Sequence, residues 1–120
     1  MLIGELARRS GTSERLLRYY ERVGLLTAER RHNGYRDYDE TAAEQVRLIR
    51  ALLAAGLPTR LIRRVLPCAH PDGSVDACPG VLDMLRDRLS DLDRQAADLD
   101  AARTMLKRTI ATAERPTRAR

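Results

Sequence analysis

The chain has 120 residues, with four tyrosines, no phenylalanine, no tryptophan and a net charge of +5. That length holds one small core plus an accessory element, and the core must rest on Leu, Ile, Val and Ala. No run is apolar enough to span a membrane and the start lacks a secretory h-region, so a cytoplasmic protein with no membrane partner is expected.

The positive charge is uneven. Residues 1–66 carry 13 arginines against 8 acidic residues, whereas residues 67–120 carry nine basic and nine acidic residues. A phosphate-neutralising surface therefore belongs to the first half. Only Lys107 among the basic residues is lysine, a bias that a GC-rich genome also produces.

In chain order, Ile3 to Arg9 reads as a first helix with Ile3, Leu6 and Ala7 inward. Ser10-Gly11-Thr12 forms a turn into a second helix that Ser13 caps. Leu16, Leu17, Tyr20 and Val23 share one face of that helix, and Gly24 stops it. Arg15, Arg18, Tyr19 and Arg22 make the opposite stripe. Three guanidinium groups in front of an apolar back suit the major groove of DNA, since arginine pairs with guanine or phosphate and a tyrosine hydroxyl donates to phosphate. The two helices form a helix-turn-helix with the second as reader.

Asn33-Gly34 favours a type I′ hairpin turn. Arg30, Arg31 and His32 precede it, and Tyr35, Arg36 and Tyr38 follow. A basic, tyrosine-bearing hairpin beside a basic helix reads as a wing gripping the phosphate backbone. A solvated helix and an ordinary surface hairpin would be the plainer account of either piece alone; their adjacency and matched charge favour DNA.

Asp39 is the expected N-cap of a third helix ending near Ala55, with Val46, Ile49, Leu52 and Leu53 inward and Gly56 beyond its end. A short fourth helix follows from Thr59 to Leu66, with Pro58 suited to its first turn. Its Arg60, Arg63 and Arg64 fit either added phosphate contacts or a solvated face. Pro67 to Pro79 (PCAHPDGSVDACP) excludes regular helix. From Val81 to about Ala113, Leu82, Leu85, Leu89, Leu92, Ala96, Leu99, Leu106 and Ile110 step by three and four as a heptad seam does, interrupted at Arg103, with Ala102 and Met105 beside the gap. A second copy of the same helix is the simplest cover for so long and narrow a stripe.

IGELARRSG, LLRYYERVGLL, NGYRDYDE and AAGLPTRLIRRVL, followed by the long helix, together resemble the MerR (mercury-resistance-type) family of transcriptional regulators over nearly the whole chain. The resemblance implies a mainly α fold: a winged helix-turn-helix head and a long C-terminal helix forming an antiparallel coiled-coil dimer. It implies a homodimer on double-stranded promoter DNA that bends and untwists an overlong spacer so that RNA polymerase engages both promoter elements. It also implies DNA contacts from Arg18 and from Tyr19 or Tyr20 in the reader, and from Arg31, Asn33, Tyr35, Arg36 and Tyr38 in the wing. Helical spacing favours Tyr19 over Tyr20 and adds Arg15. Pro58 departs from the family's usual capping Ser or Thr. The expected organisation is a DNA-binding domain at 1–67, a linker at 68–79, a dimerisation helix at 80–113 and a disordered tail at 114–120.

The residues after the long helix are too few for a drug-binding domain, carry no cysteine loop of the copper-sensor type, and supply no four-cysteine iron–sulfur set. What remains for sensing is Cys68, His70 and Cys78 in the linker. Two thiols and an imidazole make a partial tetrahedral site for a metal such as zinc, with Asp72 or Asp76 nearby. The spacing matches no zinc signature. A redox disulfide across the hinge and buried structural cysteines stay open beside metal ligation. No nucleophile–base set and no phosphate loop points to an enzyme. The other DNA-binding reading is an architectural, excisionase-like protein without effector sensing.

Overall fold

The structure, a computed structural model, describes residues 1–116. It divides between Leu82 and Asp83 into two compact units. The first contains α1 (Ile3–Ser10), α2 (Glu14–Arg22), β1 (Glu29–Arg30), β2 (Arg36–Asp37), α3 (Ala42–Ala54), α4 (Thr59–Val65) and a one-turn 3₁₀ segment at Leu66–Cys68. The second is carried by α5 (Val81–Ala113).

In the first unit α1 packs on α2 and α3, and α3 packs on α4. Leu6, Leu17, Leu25, Leu26, Val46, Ile49, Ile62 and Val65 are fully enclosed, each with at most 1% exposure. Each such side chain contributes about 1.5–3 kcal/mol relative to exposure. Lacking Phe and Trp, the core takes its aromatic volume from Tyr20 and Tyr38.

The helix-turn-helix corner is held from α3. Arg50 Nη1 donates to the Gly11 carbonyl at 3.0 Å and to Thr12 Oγ1 at 3.1 Å, and Arg47 Nη2 donates to the Arg9 carbonyl at 2.6 Å. These guanidinium groups satisfy carbonyls that the end of α1 leaves without helical partners. Ser13 caps α2 as expected, accepting from the Leu16 N–H at 3.2 Å.

Two local expectations are corrected. The wing turn is not type I′, because among the described residues only glycines have a positive φ. The Gly34 N–H donates to the Arg31 carbonyl and the Arg31 N–H to the Tyr35 carbonyl, both at 2.8 Å, closing a three-residue loop. Such a loop needs one left-handed residue instead of two, and Gly34, at φ 87°, supplies it. Asn33 instead accepts the Tyr35 N–H at its side-chain oxygen, 3.2 Å away. The second correction concerns Asp39, whose Oδ1 takes the Thr41 N–H and hydroxyl at 2.9 Å each. It therefore heads a turn before α3, which starts at Ala42. A carboxylate bonding two residues ahead closes an Asx-turn more readily than it caps the next helix.

The 33-residue α5 matches the expected bounds. At about 1.5 Å per residue it is about 50 Å long. Leu89, Leu99, Met105, Leu106 and Ile110 are all more than half exposed along it. Of the tail expected to be disordered at 114–120, residues 117–120 lie outside the described residues. Glu114 and Arg115 continue the hydrogen-bonded turns, donating to the Ile110 and Thr112 carbonyls at 2.9 and 3.3 Å. Among the described residues no helix is long and apolar enough to cross a membrane.

Candidate nucleic-acid interface

The α2 stripe stands clear of the core. Arg15, Arg18, Tyr19 and Arg22 are exposed while Leu17 and Tyr20 are buried beneath them. Within the stripe, Arg22 lies over the Tyr19 ring at 5.9 Å, a cation–π contact that holds both side chains outward. Arg18 Nη2 is 3.6 Å from Glu14 Oε1, one turn back on the same helix. This exposed pair is worth well under 1 kcal/mol, so Arg18 exchanges it cheaply for a phosphate or a base.

The wing rises beside the stripe. Glu29 pairs with Asp37 and Arg30 with Arg36 in its antiparallel ladder. Arg31, His32, Asn33 and Tyr35 are exposed at its tip, Tyr35 at 65%. Arg18, Gly34, Tyr35 and Arg36 line one cavity of about 560 Å³ together with Arg8 and the first turn of α1. Arg15, Tyr19 and Arg22 line a separate hollow with Ser13 and Leu16, while Arg18 of the reader thus shares one concave surface with the wing. Arg8 is an unexpected member; its only signal in the sequence was its place on the polar side of the first helix.

Two tyrosines expected to touch DNA are placed elsewhere. Tyr20 and Tyr38 are each 2% exposed. Burial raises the pKa of both hydroxyls above the ordinary tyrosine value, and the Glu21 carboxylate adds to the shift at Tyr38. The Tyr38 hydroxyl donates to Glu21 Oε2 at 3.2 Å. Arg36 Nε is 2.8 Å from the same oxygen, a charge contact whose N–H is not aimed as a directed hydrogen bond. Tyr38 therefore supports the wing from inside. Glu21, which no motif singled out, ties wing to reader; its place four residues after the core residue Leu17 put it on the inner edge of α2. At the base of the wing, the hydrogen bond from the Met1 amino group holds the Asp37 carboxyl below the usual carboxylate range, with Arg31 assisting.

The arginines of α4 divide. Arg63 Nη1 donates to the Val23 carbonyl at the end of α2, 2.7 Å away. Arg64 packs over Gly80, where an added Cβ would stand 2.9 Å from its Nη2. Arg60 is exposed.

The linker is more ordered than its prolines suggested. Ala69 and Val75 form an antiparallel bridge, and the His70 N–H donates to the Ser74 carbonyl at 2.7 Å. His70 Nε2 is 2.8 Å from Asp76 Oδ1, and the hydrogen bond and charge of Asp76 raise the His70 pKa above its ordinary value. Cys68 and Cys78 are joined as a disulfide, with their Cα atoms 6.2 Å apart. The expected metal set of Cys68, Cys78 and His70 is not assembled in this state: the two sulfurs are bonded to one another, the disulfide alternative, and His70 is engaged with Asp76. Among the described residues no three His, Cys, Asp or Glu side chains converge as a metal site.

Comparison with known proteins matches this architecture. The family model for MerR HTH regulatory proteins covers residues 1–68, and the MerR DNA-binding model covers residues 43–109. The HTH-type transcriptional regulator HmrR of Rhizobium leguminosarum bv. viciae is 34% identical over 110 residues, spanning 92% of this chain and 81% of its own length. A transcription regulator of Ralstonia metallidurans solved in complex with lead(II) superposes with a TM-score of 0.67 at 25% identity, over 99% of this chain and 92% of its own. HiNmlR, a MerR family regulator lacking the sensor domain and solved bound to promoter DNA, also has a TM-score of 0.67, at 23% identity over 92% of this chain and 86% of its own. These relatives are transcription regulators and not enzymes. With a winged helix-turn-helix head, a long C-terminal helix and two family models that overlap across α3 and α4, this chain belongs to the MerR family of DNA-binding transcriptional regulators.

Proposed function

We propose that the chain acts in the bacterial cytoplasm as a homodimer on two-fold promoter DNA. Two copies of α5 pair antiparallel along the leucine seam and set the separation of two heads. Each head places Arg15, Arg18 and Tyr19 in a major groove and grips the neighbouring backbone with Arg31, Asn33, Tyr35 and Arg36. Held at a fixed spacing, the two grips bend and untwist the DNA between them, and their phosphate contacts offset a deformation cost on the order of a few kcal/mol. RNA polymerase then engages both promoter elements. The observation that carries the reading is that Arg18 and Arg36 line one concavity in the positively charged half of the chain.

The effector is read at residues 68–79. Of the two chemistries expected there, thiol oxidation is favoured over ligation of zinc or another metal, because Cys68 and Cys78 are paired with one another and His70 is engaged with Asp76.

Native mass spectrometry of protein purified without chelator tests the assembly. A mass of two chains, and a DNA complex whose affinity falls steeply with salt, are expected. A single chain at micromolar concentration defeats the dimer. A promoter complex whose transcription ignores oxidants and metals alike points to an architectural binder instead.

A further inference from the structure

The linker disulfide and the reader helix are both fastened to α4. Cys68 closes the 3₁₀ turn that follows α4 directly, and it is 8% exposed. Its carbonyl accepts the Asp76 N–H at 2.7 Å, so the two arms of the 68–78 loop are bonded to each other at their base. Beyond Cys78, the Val81 N–H donates to the Cys78 carbonyl and Val81 itself is buried. Arg64 of α4 packs over Gly80 on this side. One residue earlier, Arg63 reaches the other way and bonds the Val23 carbonyl at the end of the reader. Ile62 and Val65, both fully buried, anchor α4 in the core on its other face.

We propose that the Cys68–Cys78 dithiol–disulfide couple sets the DNA affinity of the head through α4, with Arg63 as the positioning residue that passes the change to the reader. This rests on the promoter-binding reading above and supplies its regulation. With the bond closed, the end of α4 is held against the start of α5 across the ordered loop, and Arg63 keeps the end of α2 in place. With the bond open, no covalent tie joins the two arms, and the loop is held by the Ala69–Val75 bridge, the Asp76 N–H to Cys68 carbonyl bond and the His70–Asp76 pair, so the end of α4 is less firmly held. Loops of this kind open at low cost because few buried contacts hold them.

The step balances with a low-molecular-weight disulfide as oxidant. The Cys78 thiol, the less buried of the two, loses its proton and attacks one sulfur of the reagent. That S–S bond breaks and one low-molecular-weight thiolate leaves. Cys68, also deprotonated, then attacks the Cys78 sulfur of the mixed disulfide and expels the second thiolate. Two electrons pass from the protein sulfurs to the reagent, and the two protons end on the two released thiols.

The test uses the full chain equilibrated with oxidised glutathione or with dithiothreitol, with the bond scored by intact mass. A duplex selected from a random pool by a mixture of both forms is titrated with each. The oxidised protein should bind it about 5- to 100-fold more tightly, the range of ordinary coupling between sites. Cys78→Ser, which spares the buried Cys68, should bind like the reduced protein under both conditions. Arg63→Gln should still form the bond but bring the oxidised-to-reduced ratio close to one. Equal affinity of the two forms, or failure of the bond to form, overturns the proposal while leaving promoter binding intact. Failure of both forms to select any duplex defeats promoter binding and the proposal together. An undiminished ratio in Arg63→Gln overturns the route through α4.

Discussion

Arg36 Nε stands 2.8 Å from Glu21 Oε2, and this ion pair fastens the wing to the reader helix. The same carboxylate oxygen takes the Tyr38 hydroxyl. One acidic side chain on the inner edge of α2 therefore sets where two β-hairpin residues sit relative to the groove reader.

Removing that carboxylate should cost stability before it costs chemistry. The pair is partly buried, with 22% of Glu21 and 35% of Arg36 exposed. Glu21→Ala should therefore lower the unfolding free energy by about 1–2 kcal/mol, between the surface and the buried limits. Tyr38→Phe should cost about 1 kcal/mol, since it removes one hydrogen bond. Urea titrations with unchanged m-values would report both; full stability in Glu21→Ala would mean the wing is held by other contacts.

Reader and wing should fail differently. Arg18→Ala should remove sequence discrimination worth about 1–3 kcal/mol while leaving the dimer intact. Arg31→Ala should weaken all duplexes alike and lower the salt slope by about 1. Titrations on specific and scrambled duplexes at several salt concentrations separate the two outcomes. Equal losses on both duplexes for Arg18→Ala would reassign it to the backbone.

The exposed apolar stripe on α5 should be what assembles the protein. Leu99 is 65% exposed and Leu106 61%. Burying each against a partner contributes about 1.5–3 kcal/mol. Leu99→Asp combined with Leu106→Asp should yield a monomer in sedimentation equilibrium whose circular dichroism still shows a folded head. A dimer that survives both changes would place the interface elsewhere.

The linker should respond to pH through His70. Asp76 raises its folded-state pKa, so the protonated pair adds order that is fully present below the unfolded value of about 6.5. That contribution disappears as pH rises through the higher folded value. An NMR titration should place the His70 midpoint above the ordinary histidine value of about 6.5, and Asp76→Asn should bring it down. A parent-protein midpoint at or below that value would show that the pair does not form in solution.

Much of the fold was legible because local chemistry agreed with it. The apolar spacing of Leu17 and Tyr20, the Ser13 cap and the seam from Leu82 to Ile110 each follow a period or a cap that needs only neighbouring residues. Asn33-Gly34 misled for the same reason: a dipeptide preference names a turn type, but the hydrogen bonds between Arg31, Gly34 and Tyr35 selected a longer loop that demands less of the backbone.

The order of residues alone was enough for the helices, the hairpin, the basic character of the first half and the exposed arginine–tyrosine stripe of α2. Spacing along one chain places side chains on faces without reference to anything distant. Packing was needed to put Tyr38 inside, to join reader and wing through Glu21, to assign Arg63 to the end of α2, and to bring Cys68 and Cys78 to each other. Those are contacts between residues 10 to 40 positions apart, and such pairings are settled by how elements pack, which no local period encodes.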